Sequence, residues 1–323
     1  MPGEREPGRW LSQAIEVDAP AGVVYTLILS AERRPLFFDS SVYVERLGFH
    51  DVPESGERLR IWALADGEVK SWTSDRFQNS AQRSFAFRQN QLMTPAKSMS
   101  GTFSVQPLGP DRSRLTVTHA FTSRGDSPED LAWLERNVTA TTRSDLNNLR
   151  FLAQRWTRLD ELLLSFEESV RIKGPAELVH NFLYDVKRWP DHLPHVRRVD
   201  LTELQGGVQK ASMTLAAADG TGQDVTSVRL CFPHAGRIVH KETTPRKLIK
   251  AHCGEWSVTS DEDGVTVASQ HHVVLREKDI EQVLGPGATL VDARRRVRAE
   301  LGGESLQTLQ QARKEAESAV HVL

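Results

Sequence analysis

The sequence is poor in cysteine and has neither a long hydrophobic run nor a marked excess of either charge. Its two cysteines, Cys231 and Cys253, form no CxxC pair, so we expect no disulfide framework and two small, buried thiols. No run of about 18 apolar residues occurs, so no membrane span is expected. The 41 Lys and Arg residues stand against 43 Asp and Glu residues, which argues against a nucleic-acid-binding protein.

Missing motifs exclude further classes of protein. The first residues lack the basic and then apolar regions of a secretory signal, so a cytoplasmic location is expected. The nucleophile elbow GxSxG, the phosphate-binding P-loop, the zinc motif HExxH and a complete GxGxxG are all absent. The chemistry of this chain must therefore come from residues that these motifs do not describe.

Histidine is unevenly distributed, with eight of the eleven residues between His180 and His272. The short spacings from His192 to His195 and from His271 to His272 invite a metal-binding interpretation. No acidic or cysteine ligand accompanies these pairs at the usual spacing of a metal site. The sequence therefore predicts neither a metal nor a cofactor.

An internal repeat organises the chain. Residues 15–24 (IEVDAPAGVV) align with residues 170–179 (VRIKGPAELV) at an offset of 155, and residues 101–105 align with residues 254–258 at an offset of 153. Solenoid repeats are only about 20–50 residues long, so each copy here must be a complete domain. We expect an N-terminal domain over residues 1–158 and a C-terminal domain over residues 159–323.

Each copy has the same predicted order of elements. In the first copy an alternating strand contains Ile15 and Val17, and Pro20 opens the first of two short helices. Six further alternating segments follow, at about 42–50, 56–65, 68–78, 82–90, 97–106 and 112–124. A long helix then begins with Ser127 as N-cap and Pro128 at its first position.

Burying this long helix requires a curved antiparallel sheet around it, which leaves a cavity between the sheet and the helix. The predicted fold class is therefore α+β. It consists of two tandem domains, each a seven-stranded antiparallel sheet wrapped around a long C-terminal helix, with two short helices.

One predicted strand, KSWTSDRF over residues 70–77, directs polar side chains at that cavity. Side chains alternate along a strand, so Trp72, Ser74 and Arg76 share one face. A buried Arg needs an anionic partner or a ligand, which makes this face a candidate site. The alternative is an Arg that is exposed or simply paired with a carboxylate. The second copy keeps Ser227 and Arg229 in the same alternation.

This W-x-S-x-R strand, within a duplicated strand–helices–sheet–long-helix domain, resembles the bacterial aromatic polyketide aromatase/cyclases. The tandem layout is similar to their di-domain branch, which serves type II polyketide synthases that reduce one ketone. The resemblance covers roughly residues 10 to 317. It implies a START-like helix-grip fold whose pocket holds a polyketide tethered to an acyl carrier protein.

The resemblance also implies a set of site residues. The candidate catalytic residues are Arg76, Ser74, Arg229, Ser227, His119 and His271. The candidate pocket residues are Trp72, Trp189, Arg34, Phe37, His192 and Asp145. The family's pocket Trp before a Pro survives as Trp189, whereas the first copy has Arg34 at that place, so the two pockets are expected to differ.

The implied function is ring closure and dehydration of a carrier-bound, ketoreduced poly-β-ketone. The first ring would form between the seventh and twelfth backbone carbons. An Arg guanidinium would donate to the developing oxyanion, and a His would move the protons. The implied partners are the acyl carrier protein, the polyketide synthase and a ketoreductase, with no nucleic acid and no membrane.

Three alternatives remain open. In the first, a ketoreductase makes the ring and leaves only the dehydrations to this chain. In the second, one copy is catalytic and the other is a scaffold. In the third, the whole chain is a non-catalytic START-like protein that binds an apolar small molecule. Positive charge along the two long helices is equally ambiguous, because it suits either an acidic carrier protein or a solvated helix face. That charge comes from Arg143, Arg150, Arg155, Arg158, Arg294, Arg295, Arg296 and Arg298.

Overall fold

A computed structural model describes residues 8–47, 56–65, 67–90, 95–125, 127–216 and 220–320. The chain divides into two compact units, Met1–Leu159 and Asp160–Leu323. Residues 48–50, at the end of the predicted strand 42–50, lie outside the described residues. Within the described ranges, no helix combines the length and the apolar character needed to cross a bilayer.

The first unit contains one strand, two short helices, six strands and a long helix. These are β1 (Arg9–Val17), α1 (Ala21–Leu29), α2 (Arg34–Phe37), β2 (Ser41–Leu47), β3 (Gly56–Ala65), β4 (Glu68–Asn79), β5 (Ser84–Asn90), β6 (Ala96–Gly109), β7 (Arg112–Ser123) and α3 (Pro128–Ala153). The seven strands form one antiparallel sheet in the order β1-β7-β6-β5-β4-β3-β2. Strands β2 to β7 are a meander, and β1 adds to its far edge beside β7.

Helix α3 packs against β1 and β7. It begins as the sequence predicts, because the Oγ of Ser127 accepts a hydrogen bond from the backbone N–H of Asp130 at 3.4 Å and Pro128 occupies the first turn. Its buried face carries Leu134, Leu146, Leu149 and Leu152. The recurrence of these leucines at helical spacing fixes which side of α3 faces the sheet.

The second unit repeats this order. Its elements are α4 (Leu159–Leu162), β8 (Leu163–Ile172), α5 (Ala176–Tyr184), α6 (Trp189–His192), β9 (Val196–Leu204), β10 (Val208–Ala216), β11 (Gly222–Phe232), β12 (Arg237–Thr244), β13 (Ile249–Asp261), β14 (Gly264–Leu275), α7 (Ile280–Leu284) and α8 (Leu290–Val320). The sheet order is β8-β14-β13-β12-β11-β10-β9, and α8 packs against β8 and β14. The predicted α+β fold of two tandem seven-stranded helix-grip domains is confirmed. Helices α4 and α7 are additional to the prediction, and their Leu162 and Ile280 are buried in one apolar cluster.

Strand registers establish which residues of the two domains are equivalent. Gly101 pairs with His119 in the first sheet, and Gly254 pairs with His271 in the second. Likewise Ser74 pairs with Gln89, and Ser227 pairs with Glu242. The two interiors can therefore be compared position by position.

Gly101 should be intolerant of any side chain. A Cβ at this position would lie 2.0 Å from the carbonyl oxygen of Thr118 and 2.7 Å from the Cζ of Phe87. We expect Gly101→Ala to lower the free energy of unfolding by about 1–3 kcal/mol, the usual cost of overpacking. Gly22→Ala in α1, where nothing lies within 4 Å of the added Cβ, should instead be neutral or stabilising. Urea unfolding of both variants checks this, and equal stability of the two would contradict the close contact at Gly101.

Candidate functional site

The first domain encloses a cavity of about 230 Å³ between its sheet and α3. Its walls are largely aromatic and aliphatic, and include Ile61, Trp72, Phe85, Phe87, Met99, Phe103, Trp133 and Leu134. Polar side chains also line this space, among them Arg34, Ser74, Arg76, Gln89, His119, Asn137 and Asp145. An apolar chamber with a few convergent polar groups is the usual form of a small-molecule site.

His119 lies on β7 in the wall of this cavity, with its ring edge-on to Phe87 at 5.5 Å between ring centroids. Burial lowers the pKa of His119 to about 4, because a charged imidazolium is poorly solvated there. The imidazole is therefore neutral at physiological pH. A neutral imidazole in an apolar cavity is able to accept a proton from a bound molecule.

Arg34 and Asp145 place opposite charges in the same cavity, from α2 and α3 respectively. Burial lowers the pKa of the Arg34 guanidinium, and the Asp145 carboxylate opposes that shift. The guanidinium also lies over the ring of Phe38, with its Cζ 4.1 Å from the ring centroid. Arg34 thus offers a cation to the cavity that is held by an aromatic face and a nearby carboxylate.

Arg76 is only 2% exposed, and its guanidinium already has partners. Nη2 donates a hydrogen bond to the carbonyl of Ile28 at 3.0 Å, and Nη1 lies 3.0 Å from Oε1 of Glu57. Its Cζ lies 4.0 Å from the centroid of Phe85. Because Ile28 belongs to the last turn of α1, Arg76 joins strand β4 to the carboxyl end of that helix, where a cation is favoured.

Arg229 does the same in the second domain, with one change of partner. Its guanidinium donates to the carbonyls of Leu183 and Tyr184, which end α5, and to Oε1 of Gln209. Gln209 pairs with Arg229 across the sheet just as Glu57 pairs with Arg76. The carboxylate beside the first Arg is thus replaced by a neutral amide beside the second.

The second domain has a smaller cavity, of about 100 Å³. Trp189, Ser227, Arg229 and His271 all line it. The indole of Trp189 donates a hydrogen bond to the carbonyl of Phe182 at 3.0 Å, which fixes the ring in the cavity wall. Such a volume corresponds to a few water molecules at about 30 Å³ each.

A chain of polar contacts runs through the wall of this second cavity. Nδ1 of His252 lies 2.9 Å from Oε1 of Glu242, and Nε2 of His252 lies 3.0 Å from Nδ1 of His271. Nε2 of His271 lies 2.8 Å from the hydroxyl of Ser305. With His240, the two histidines offer three ring nitrogens that all lie within 4.8 Å of one another. Among the described residues, these three histidines bring together the donor atoms that a metal ion needs.

The same positions in the first domain hold different residues. Register places Phe87 at the position of His240, Met99 at that of His252 and Gln89 at that of Glu242. Burial, and then the neighbouring His252 and His240, lower the pKa of His271, whereas His119 has only burial acting on it. One domain therefore has a lone imidazole in an apolar chamber, and the other has an imidazole cluster in a small polar one.

Two predicted pocket residues do not line either cavity. Phe37 is 1% exposed, but its side chain is absent from the wall of the first cavity because it packs into the core. His192 lies at the end of α6 with its ring near Glu315 and Phe182, outside the wall of the second cavity. A position beside the helical turn at the cavity mouth does not determine where a side chain points.

The sequence did not predict several other residues that line the cavities. Trp133 and Asn137 face the first cavity from α3, and Trp256 faces the second from β13. The helical spacing of α3 predicts which side of the helix is buried, but not which part of that side meets a cavity. The partners Glu57 and Gln209 were missed as well, because they depend on the register between neighbouring strands.

The contacts of Arg76 predict its role in stability. Arg76→Met should destabilise the first domain by about 3 kcal/mol, at the low end for breaking a buried ion pair, because Arg46 still lies 3.3 Å from Glu57. Glu57→Gln is the matched control and should unfold close to wild type, since Gln209 occupies the equivalent place beside Arg229. Urea unfolding of the full chain measures both variants. A Met variant as stable as wild type would show that the link to α1 is unimportant.

Comparison with known proteins agrees with this architecture. A family model described as polyketide cyclase / dehydrase and lipid transport matches residues 11–154 and again residues 164–312. The granaticin polyketide synthase bifunctional cyclase/dehydratase of Streptomyces violaceoruber is 32% identical over 306 residues, 94% of this chain and 93% of that protein. The actinorhodin polyketide synthase bifunctional cyclase/dehydratase of Streptomyces coelicolor is 33% identical over 321 residues, 96% of each.

Solved structures give the same result. The crystal structure of the di-domain ARO/CYC BexL from the BE-7585A biosynthetic pathway superposes with a TM-score of 0.84 at 39% identity, covering 96% of this chain and 99% of that one. The di-domain ARO/CYC StfQ from the steffimycin pathway superposes with a TM-score of 0.82 at 25% identity and the same coverage. With one matching domain in each half, the chain belongs to the polyketide cyclase/dehydrase family.

Proposed function

We propose that this protein is an aromatase/cyclase of a type II polyketide synthase. Its substrate is a ketoreduced poly-β-ketone bound to an acyl carrier protein, in which it directs aldol closure of the first ring, between the seventh and twelfth carbons, and the dehydration that follows. The observation that carries the proposal is the first-domain cavity, where His119 and Arg34 face an apolar chamber of about 230 Å³. Full-length relatives named as polyketide synthase bifunctional cyclase/dehydratases support it.

The reaction needs proton transfer and charge stabilisation and consumes no oxidant or reductant. A base removes a proton from a methylene between two carbonyls, the enolate carbon forms a bond to a ketone carbon, and the resulting alkoxide takes up a proton. Dehydration then breaks the C–O bond of the alcohol formed from that ketone. The base takes a proton from the neighbouring carbon and delivers it to the departing hydroxyl, which leaves as water while a C=C bond forms.

The first domain supplies groups for each of these needs. We assign His119 as the base, because its imidazole lines the cavity and burial keeps the ring unprotonated. Arg34 is the cation that stabilises the developing oxyanion. Trp72 and Trp133 form walls that hold the flexible chain in a bent conformation. The same walls exclude water and disfavour the conformations that lead to competing aldol reactions.

The W-x-S-x-R residues divide between two roles in this proposal. Ser74 is 2% exposed and lines the cavity, where its hydroxyl is placed to orient a carbonyl. Arg76 is a positioning residue, because Ile28 and Glu57 already engage its guanidinium. In the second domain Arg229 is engaged in the same way, and the cavity beside Ser227 and His271 is less than half as large. We therefore assign ring closure to the first domain.

The carrier protein and the ketoreductase are the proposed partners. A ketoreductase is the class of enzyme that must act on the chain before this one, since the substrate is already reduced at one ketone. For docking, α3 offers the exposed Arg143 and Arg150. In the basic run of α8, Arg294 donates to the carbonyl of Leu163 and Arg298 pairs with Glu168 at 2.6 Å, while Arg295 and Arg296 are exposed. Because ring closure is assigned to the first domain, an acidic carrier protein is expected to approach α3.

Reconstitution tests the function directly. A minimal aromatic polyketide synthase with its carrier protein and a ketoreductase is run with and without the full chain, and products are separated and weighed by mass spectrometry. We expect the chain to shift spontaneous products toward one that is lighter by water and has an aromatic first ring. An unchanged profile with folded protein would refute the enzymatic function and favour a non-catalytic protein that binds an apolar molecule.

The role of His119 is tested in the same assay. His119→Leu keeps the volume of the side chain and removes the proton acceptor, so formation of the aromatic product should slow by about 10²–10⁴-fold. The control is His234→Ala, which removes an exposed histidine of the second domain and should leave the rate unchanged. Circular dichroism and thermal unfolding verify that both variants fold. Full activity of a folded His119→Leu variant would remove His119 from the mechanism.

A further inference from the structure

Three histidines of the second domain come together from three neighbouring strands. His240 lies on β12, His252 on β13 and His271 on β14, and these strands are adjacent in the sheet. One ring nitrogen of each lies within 4.8 Å of the others. From this convergence we propose that the second domain binds one Zn²⁺ ion through His240, His252 and His271. This inference does not depend on the function proposed for the first domain.

The outer nitrogens of two of these rings lie beside acceptor oxygens, as those of metal ligands usually do. If Nε2 of His252 binds the metal, its Nδ1 faces the Glu242 carboxylate at 2.9 Å. If Nδ1 of His271 binds the metal, its Nε2 faces the hydroxyls of Ser305 at 2.8 Å and Ser269 at 3.0 Å. Histidine ligands typically donate their second N–H to a carboxylate or another acceptor, which fixes the orientation of the ring.

The three nitrogens must adjust their spacing to hold a metal ion. Zinc–imidazole bonds of about 2.0–2.1 Å in tetrahedral geometry place two ligand nitrogens about 3.3 Å apart. Nε2 of His252 and Nδ1 of His271, now 3.0 Å apart, therefore separate by a few tenths of an ångström. The nitrogen of His240, which lies within 4.8 Å of the other two, moves inward. His271 then carries its proton on Nε2, where the hydroxyl of Ser305 accepts the hydrogen bond.

His240 completes the set. Its Nδ1 is buried and has no hydrogen-bond partner among the residues that the structure describes, which is costly for a polar atom unless something else binds there. Two arginines also line this cavity: Arg246 pairs with Glu304 at 2.6 Å, whereas Arg229 has neutral acceptors. The Glu242 carboxylate is the negative group beside the histidines that offsets the charge of the metal. Three neutral imidazoles with a fourth position open to a small cavity are the arrangement of a zinc site that also holds water.

The first domain shows what the same fold looks like without these ligands. Phe87 and Met99 occupy the positions of His240 and His252, and only His119 remains of the three. These residues identify substitutions that the fold accommodates. His240→Phe and His252→Met each replace one proposed ligand with the residue of the sister domain.

Zinc binding is measured on the full chain without an affinity tag. The protein is stripped with EDTA, dialysed and titrated with Zn²⁺ in competition with a chromophoric chelator, and its metal content is measured by mass spectrometry. We expect one Zn²⁺ per chain and a higher melting temperature of the loaded protein, because a ligand that binds only the folded state stabilises it. His240→Phe and His252→Met should abolish stoichiometric binding. His234→Ala, the exposed control, should bind as wild type does.

Two further measurements keep the test decisive if a ligand variant unfolds. Glu242→Gln retains the shape of the side chain and should weaken zinc binding by about 10–100-fold, as loss of an anchoring carboxylate does. X-ray absorption of the zinc-loaded wild type should show three imidazole ligands. A folded wild-type protein that binds no zinc, or zinc retained at full affinity by both ligand variants, would overturn the site and leave a hydrogen-bonded histidine cluster.

Discussion

Each domain depends on a buried arginine that joins the sheet to the end of its first helix. Arg76 donates to the carbonyl of Ile28 in α1, and Arg229 donates to the carbonyls of Leu183 and Tyr184 in α5. A helix ends with carbonyls that lack partners and with the negative end of its dipole, so a cation there satisfies both. Because β4 and β11 line the two cavities, this contact holds one wall of each chamber in place. It also explains why the Arg is present in both copies although their cavities differ.

With the scaffold fixed in this way, the two interiors have diverged. At equivalent register positions, Glu57 of the first domain corresponds to Gln209 of the second, Phe87 to His240 and Met99 to His252. The second and third of these changes give the first chamber an apolar wall where the second has imidazoles. Duplication thus allowed one framework to support two kinds of site, and function belongs to the site rather than to the fold.

Much of the fold follows from local features of the sequence. The repeat at an offset of 155, the alternation of the strands and the cap at Ser127 each arise from neighbouring residues, and they predict the order of elements in both domains. Alternation also predicts that Ser74 and Arg76 share a face, and both are buried. It does not predict what Arg76 contacts, because Glu57 is placed opposite by strand register and Ile28 by helix packing. The place of Phe37 in the core has the same kind of cause, since the packing of a short helix decides which of its side chains meets the cavity.

The histidine cluster is of a kind that sequence-spacing rules for metal ligands do not describe. Such rules describe ligands that lie on one helix or one hairpin, where separation along the chain fixes separation in space. In a meander, residues on adjacent strands become neighbours when their distances from the connecting turn match. His240 and His252 approach each other across one turn, and His252 and His271 across the next, although no two of the three are close in sequence. The sequence therefore predicted no metal from the pair His271-His272, whose two side chains point to opposite faces of β14. The nitrogens that converge belong to His240, His252 and His271, which are 12 and 19 positions apart along the chain.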